Sequence, residues 1–308
     1  MWSNGSVPKA WIALVACLLA AAAAAPPSTP ASLESLEKTW REGREKRLTS
    51  PNGWLTLVGL AWLQPGDNAF GSDPANPVHL PDGKAPARAG VLVLADGKVT
   101  LKPAPGSGVT IDGKPAGEQV LRDDMAETTD VLKIGEVSFF VIRRGDRFGI
   151  RIKDPDAPTR THFKGLEYFP MSAKWRVEAT FVPYDTPRKV EIPTVLGTAD
   201  TMEAPGLVKF TVDGKSYSLE PVVEDPNEPS LWFIFKDETS AKETYGAGRF
   251  LYAAMPKDGK TVIDFNQAYN PPCAFTPYAT CPLPPKQNWL SVRVEAGEKA
   301  YAGGHEAH

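Results

Sequence analysis

The chain of 308 residues is poor in cysteine, with three, poor in histidine, with four, and poor in net charge, which is formally −3. Each scarcity removes a class of function. A near-balanced charge leaves no electrostatic footprint for nucleic acid or anionic lipid. The one basic cluster, residues 41–47, alternates with Glu42 and Glu45, as an exposed helix face does. Two of the histidines, His305 and His308, lie in a tail read as flexible, and Cys273 and Cys281 do not have the short spacing of a zinc knuckle, so no metal is expected. No P-loop, dinucleotide fingerprint, HExxH pattern or local triad signature occurs, and no cofactor is expected. Beyond residue 25 no apolar run is long enough for a transmembrane helix.

What is present begins with an apolar run over residues 10–25, preceded by the lone cation Lys9 and followed by Pro26 and Pro27. Its length suits the core of a signal peptide, with alanine-rich cleavage options before residue 25. The expectation is an exported protein, periplasmic or secreted, with no membrane span after cleavage. Leu14-Val15-Ala16-Cys17 also resembles a lipobox, so a lipoprotein anchored at Cys17 is the alternative, and an uncleaved anchor is the third. Export would leave Cys273 and Cys281 as a pair in an oxidising compartment. A disulfide, two buried thiols, and a metal or reactive pair all stay open.

The 30 prolines and 26 glycines are spread along the chain, the pattern of short strands and frequent turns. Leu33, Leu36, Trp40 and Leu48 stand near helical spacing behind Ser32, a plausible N-cap, and predict an amphipathic helix. The run over 54–63 reads as a buried strand, or as a strand followed by a tight turn. From residue 66 short β-rich runs are separated by Asp82-Gly83, Asp96-Gly97 and Asp112-Gly113, and after a proline-containing linker at 154–161 a second series uses Asp213-Gly214 and Asp258-Gly259. Residues 289–294 read as its last strand. The predicted fold is all-β, an antiparallel sandwich or barrel in two parts. The divisions are 1–25 signal peptide, 26–65 leader with the amphipathic helix and apolar strand, 66–153 first β part, 154–298 second β part, and 299–308 tail.

The candidate site is the connection over residues 264–288, rich in proline, tyrosine and phenylalanine and holding both cysteines. So long a connection without a period of its own is functional or disordered, and its aromatic and proline content argues for order. Asp264, Asn266, Asn270 and Asn288 can bind its irregular backbone or face a ligand. Lys236, Asp237, Tyr245 and Arg249 form a nearby polar group suited to carboxylates, phosphates or sugar hydroxyls, and Tyr269 is the aromatic candidate. These nine residues define a β-rich binding module for a small molecule or a protein partner. The alternative is a hydrolase with Asp264 or Asp237 as general base, Arg249 as electrostatic stabiliser, or Cys273 as nucleophile.

Two resemblances accompany this reading. Phe70-Gly71-Ser72-Asp73, Val78-His79-Leu80-Pro81, Gly90-Val91-Leu92-Val93, Val109-Thr110-Ile111-Asp112-Gly113 and Leu132-Lys133-Ile134-Gly135 together resemble a forkhead-associated domain, an eleven-stranded β-sandwich. That family reads phosphothreonine with an arginine where Ser72 stands here and an Asn-Gly turn where Asp112-Gly113 stands. The resemblance therefore implies the fold and not the phosphopeptide activity. Further on, Phe233-Ile234-Phe235-Lys236-Asp237-Glu238-Thr239, Glu243-Thr244-Tyr245-Gly246-Ala247-Gly248-Arg249 and Ala268-Tyr269-Asn270-Pro271-Pro272-Cys273-Ala274-Phe275 resemble domain of unknown function 1684 over about residues 168–298. That resemblance implies no established activity and points to the same stretches.

Overall fold

Four Asp-Gly pairs turn the chain where the sequence predicts. In Asp96-Gly97, Asp112-Gly113, Asp213-Gly214 and Asp258-Gly259 both residues have positive φ, between 50° and 75°, the left-handed geometry that matches the twist of a two-residue hairpin. A computed structural model describes residues 32–227 and 229–303. The expected signal peptide, the alternative anchor at Cys17 and the last five residues lie outside the described residues.

Eleven strands lie between Leu57 and Lys153: β1 (Leu57–Trp62), β2 (Gly66–Gly71), β3 (Val78–His79), β4 (Gly90–Ala95), β5 (Lys98–Pro103), β6 (Thr110–Ile111), β7 (Lys114–Pro115), β8 (Gln119–Leu121), β9 (Leu132–Ile134), β10 (Val137–Arg144) and β11 (Arg147–Lys153). They form a six-stranded sheet in the order β1-β11-β10-β9-β6-β7 and a five-stranded sheet in the order β3-β2-β4-β5-β8. Alternation along β2, β4 and β10 turns Phe70, Leu92, Phe139 and Val141 into one core shared by both sheets, where the Phe70 and Phe139 rings meet at 5.5 Å.

A short helix, α2 (Pro158–Thr161), precedes the second set: β12 (Arg176–Pro193), β13 (Ala199–Val212), β14 (Lys215–Leu219), β15 (Ser230–Phe235), β16 (Arg249–Ala254) and β17 (Lys260–Asp264). Here a four-stranded sheet runs β14-β13-β12-β17, and β15 pairs with β16. Phe265 is the hub of its core, against Trp175, Phe210 and Phe235 at 5.5–5.9 Å. Another cluster joins Leu48, Leu55 and Leu57 to Trp232, Ile234 and Phe275, so the segment leading into the first sheet packs on the second set. The chain is thus mostly β, with several antiparallel sheets and few helices. Among the described residues no helix is long and apolar enough to cross a membrane.

Three local expectations are corrected. Strand β1 starts at Leu57, after a 3-10 turn at Trp54–Thr56, and forms the edge of its sheet, so it is mostly half-buried. The predicted helix is α1 (Leu33–Leu48), but its inward face carries Glu37 and Arg44 above Leu48, while Leu36 points to solvent. It docks by charge more than by an apolar stripe. Residues 289–294 form no strand beyond a single bridge between Lys236 and Trp289: Leu290 and Val292 make isolated backbone bonds to Lys236 and Glu238, and the Val294 backbone is taken by Asp237 and Arg249.

Candidate functional site

The register of β15 and β16 sets Trp232 opposite Tyr252, and their rings stack 5.9 Å apart and 9° from parallel. Phe250 meets Trp232 edge-on at 5.0 Å. The loop then adds Tyr269, fixed by two backbone hydrogen bonds of 2.9 Å with Phe250 and stacked on Tyr252 at 6.3 Å. This aromatic wall borders a cleft of about 900 Å³. The end of α1 and the turn after it supply Arg44 and Trp54, β10 and β11 supply Arg144 and Arg151, and residues 272–282 close the remaining side with Phe275, Thr280 and Cys281.

The charge in the cleft is one-sided. Arg44, Lys46, Arg47, Arg144 and Arg151 line it, against the single carboxylate Glu224. Glu224 accepts the hydroxyl hydrogen of Tyr252. Arg44 donates to Glu298 at 2.8 Å and to the Asn270 carbonyl at 2.9 Å, and lies 4.7 Å from the centre of the Tyr269 ring. Arg144 pairs with Asp124 at 2.8 Å. Among the described residues Arg151 forms no ion pair with a carboxylate. It is 6% exposed, its Nη2 donates to Thr280 Oγ1 at 3.2 Å, and its Nε is without a partner. Burial, and then the neighbouring Arg144 charge, lower its pKa to about 10, which leaves it a cation at neutral pH. Burial also raises the phenols of Tyr252 and Tyr269 well above their usual range, so both remain hydroxyls. Among the described residues no group of three or more His, Cys, Asp or Glu could hold a metal ion.

Of the nine residues singled out in the sequence, Tyr269 lines this cleft. The others are built into the framework. Arg249 and Asp237 form a buried pair at 3.2 Å, with Arg249 also donating to the carbonyls of Val294 and Ala296 and Asp237 accepting from the Val294 amide. Lys236 lies over the Trp289 ring at 5.4 Å, and the Tyr245 hydroxyl donates to the Cys273 carbonyl at 3.1 Å. Asp264 accepts from the Asn266 amide and from Arg176, Asn266 brackets both backbone groups of Ser172, and Asn288 does the same for Glu220. Asn270 donates its side-chain amide to the Lys299 carbonyl at 2.7 Å. The sequence reading missed Arg44, Arg144, Arg151, Trp54 and Trp232. A charge inside an apolar strand, Ile150-Arg151-Ile152, was the available signal for Arg151.

Of the states left open for Cys273 and Cys281, the structure has the pair of buried thiols. Both are free and buried, and Cys281 Sγ accepts a hydrogen bond from the Cys273 amide at 3.1 Å. The 3-10 turn at Pro272–Ala274 directs that amide, rather than the other sulfur at bonding distance, toward Cys281. Burial pushes the Cys281 thiol well up, and the hydrogen bond with Cys281 holds the Cys273 thiol down. Because both thiols are buried, alkylation of folded protein should label neither residue, and alkylation after unfolding without reductant should label both. Peptide mass spectrometry reads this, and a pair still unlabelled after unfolding would mean that a disulfide had formed.

No curated protein matches the chain. Among solved structures, the chain is similar to the solution NMR structure of the uncharacterized protein from gene locus rrnAC0354 of Haloarcula marismortui, at 34% identity, over 47% of this chain and 80% of that one, with a TM-score of 0.39. The forkhead-associated resemblance of the first β part is not confirmed by these comparisons. Residues 161–299, a little under half of the chain, match the family described as "Protein of unknown function (DUF1684)".

Proposed function

We propose that this protein is an exported, non-catalytic binding module that holds a small organic molecule in the cleft beside residues 264–288. The observation that carries the reading is the aromatic wall of Trp232, Phe250, Tyr252 and Tyr269 facing a cleft of about 900 Å³. Ligand pockets span about 300–1,000 Å³ and combine apolar walls with a few placed polar groups. The part over residues 66–153 serves as a forkhead-associated-like scaffold whose strands contribute cations to the cleft. Export rests on the apolar run over residues 10–25. The hydrolase alternative has less support, because Asp237, Asp264 and Arg249 are engaged in internal hydrogen bonds and none of them lines the cleft.

Native mass spectrometry of protein purified from its own compartment, followed by thermal-shift screening of the molecule released, tests the proposal. A retained compound should raise the melting temperature of the wild type. Trp232→Ala, which removes the largest ring of the wall, should weaken binding about tenfold or more, as the loss of a buried aromatic contact does. A compound that binds Trp232→Ala as tightly as the wild type would place the site elsewhere.

A further inference from the structure

The cleft has a chemically distinct end. Arg144 Nε and Arg151 Nη2 both donate to one neutral oxygen, Thr280 Oγ1, each at 3.2 Å. Two guanidinium groups converging on a hydroxyl repel each other without an anion between them. The carboxylate nearby, Asp124, is paired with Arg144. Lys153 adds a third cation to the same corner, 5.7 Å from the Trp54 ring, with its ammonium bonded to the Asn52 carbonyl. Arg151 lies 5.1 Å from the same ring, and its buried Nε has no acceptor. A buried guanidinium without a counter-ion is costly, and a carboxylate that enters such a site gains charge-assisted hydrogen bonds in return. At the other side the aromatic wall offers flat apolar surface and no free cation.

We infer that the ligand of this cleft is an organic oxyanion, a flat apolar body carrying one carboxylate-like head, with the head at Arg151, Arg144 and Thr280 and the body along the Trp232 and Tyr252 rings. The inference rests on the reading of the cleft as a binding site and adds the ligand's chemistry. A planar head suits Arg151, because its buried Nε lacks an acceptor and its Nη2 donates only to the neutral Thr280 hydroxyl. An inorganic anion would satisfy the arginines and leave the aromatic wall uncovered. A neutral aromatic compound would do the reverse.

A matched pair of probes separates the two halves of the argument. 1-Naphthoate and 1-naphthamide have the same rings and differ in charge, and their binding can be followed by quenching of tryptophan fluorescence. The wild type should bind the naphthoate about ten- to a hundredfold more tightly, the range for hydrogen bonds to a charged group. Arg151→Gln should abolish that preference by weakening naphthoate binding far more than naphthamide binding, with circular dichroism verifying the fold. A test that needs no variant is ionic strength, since added salt should weaken naphthoate binding and spare naphthamide. Excess inorganic phosphate should compete with naphthoate alone. Equal affinity for the two probes, or a preference that survives Arg151→Gln, overturns the anionic head and leaves the binding cleft standing. Failure of both probes to bind overturns the cleft reading and this inference with it.

Discussion

Arg249→Met should lower stability by about 3–5 kcal/mol, the usual cost of breaking a buried ion pair by removing one partner. Arg249 is 1% exposed and Asp237 6%, so solvent cannot replace what is lost. The substitution leaves the Asp237 carboxylate buried without its cation, and it strips donors from the carbonyls of Val294 and Ala296. Those carbonyls belong to the irregular stretch that covers the second core, so the damage should spread beyond the pair. Urea unfolding measures the loss. A second variant identifies the mechanism: Arg249→Met combined with Asp237→Leu should recover part of the stability, because the orphaned charge is then gone. A single variant with the wild-type midpoint would show that the pair contributes nothing.

Glu298→Ala should be nearly as damaging, by about 3 kcal/mol or more, and for the same physical reason. Glu298 is fully buried, with one oxygen on Arg44 at 2.8 Å and the other accepting from the Asn270 amide at 2.7 Å. It therefore fastens α1 and the 264–288 connection to one carboxylate. Its loss should free the Arg44 guanidinium and loosen the Tyr269 side of the cleft. Denaturant unfolding would report the stability, and hydrogen exchange at the Asn270 amide would report the local effect, which should be faster in the variant. Unchanged exchange at that amide would mean that the loop is held by its other contacts. The neighbouring Gly297 is equally constrained: its φ is +76°, and a Cβ there would sit 2.4 Å from the Ala268 carbonyl.

Local rules that act over a few residues were readable in advance. The Asp-Gly pairs announce left-handed turns, the spacing of Leu33, Trp40 and Leu48 announces α1, and alternation announces most strands of both sets. The fate of the polar residues was not. Asp264, Asn266 and Asn288 look the same in a sequence whether they meet a ligand or a backbone, and here they bind backbone because the loop has no regular ladder to satisfy its own groups. Residues 289–294 have the composition of a strand, yet after backbone bonds of Leu290 and Val292 to Lys236 and Glu238 the run ends at Val294, whose backbone is taken by Asp237 and Arg249. The cleft was illegible for another reason: its walls come from residues as far apart as Trp40 and Pro282, and only the folded chain brings them together.

That assembly has a practical side. All five cations of the cleft stand before residue 161, whereas Glu224 and the aromatic wall stand within the stretch shared with the family. If the cleft is the binding site, an excised fragment covering 161–299 would carry its aromatic wall and none of the cations that line it. Assays on such a fragment would sample an altered specificity, and affinity for a charged compound would be underestimated even if the fragment kept its shape. Homologous regions joined to different N-terminal segments would be free to pair the same wall with another polarity.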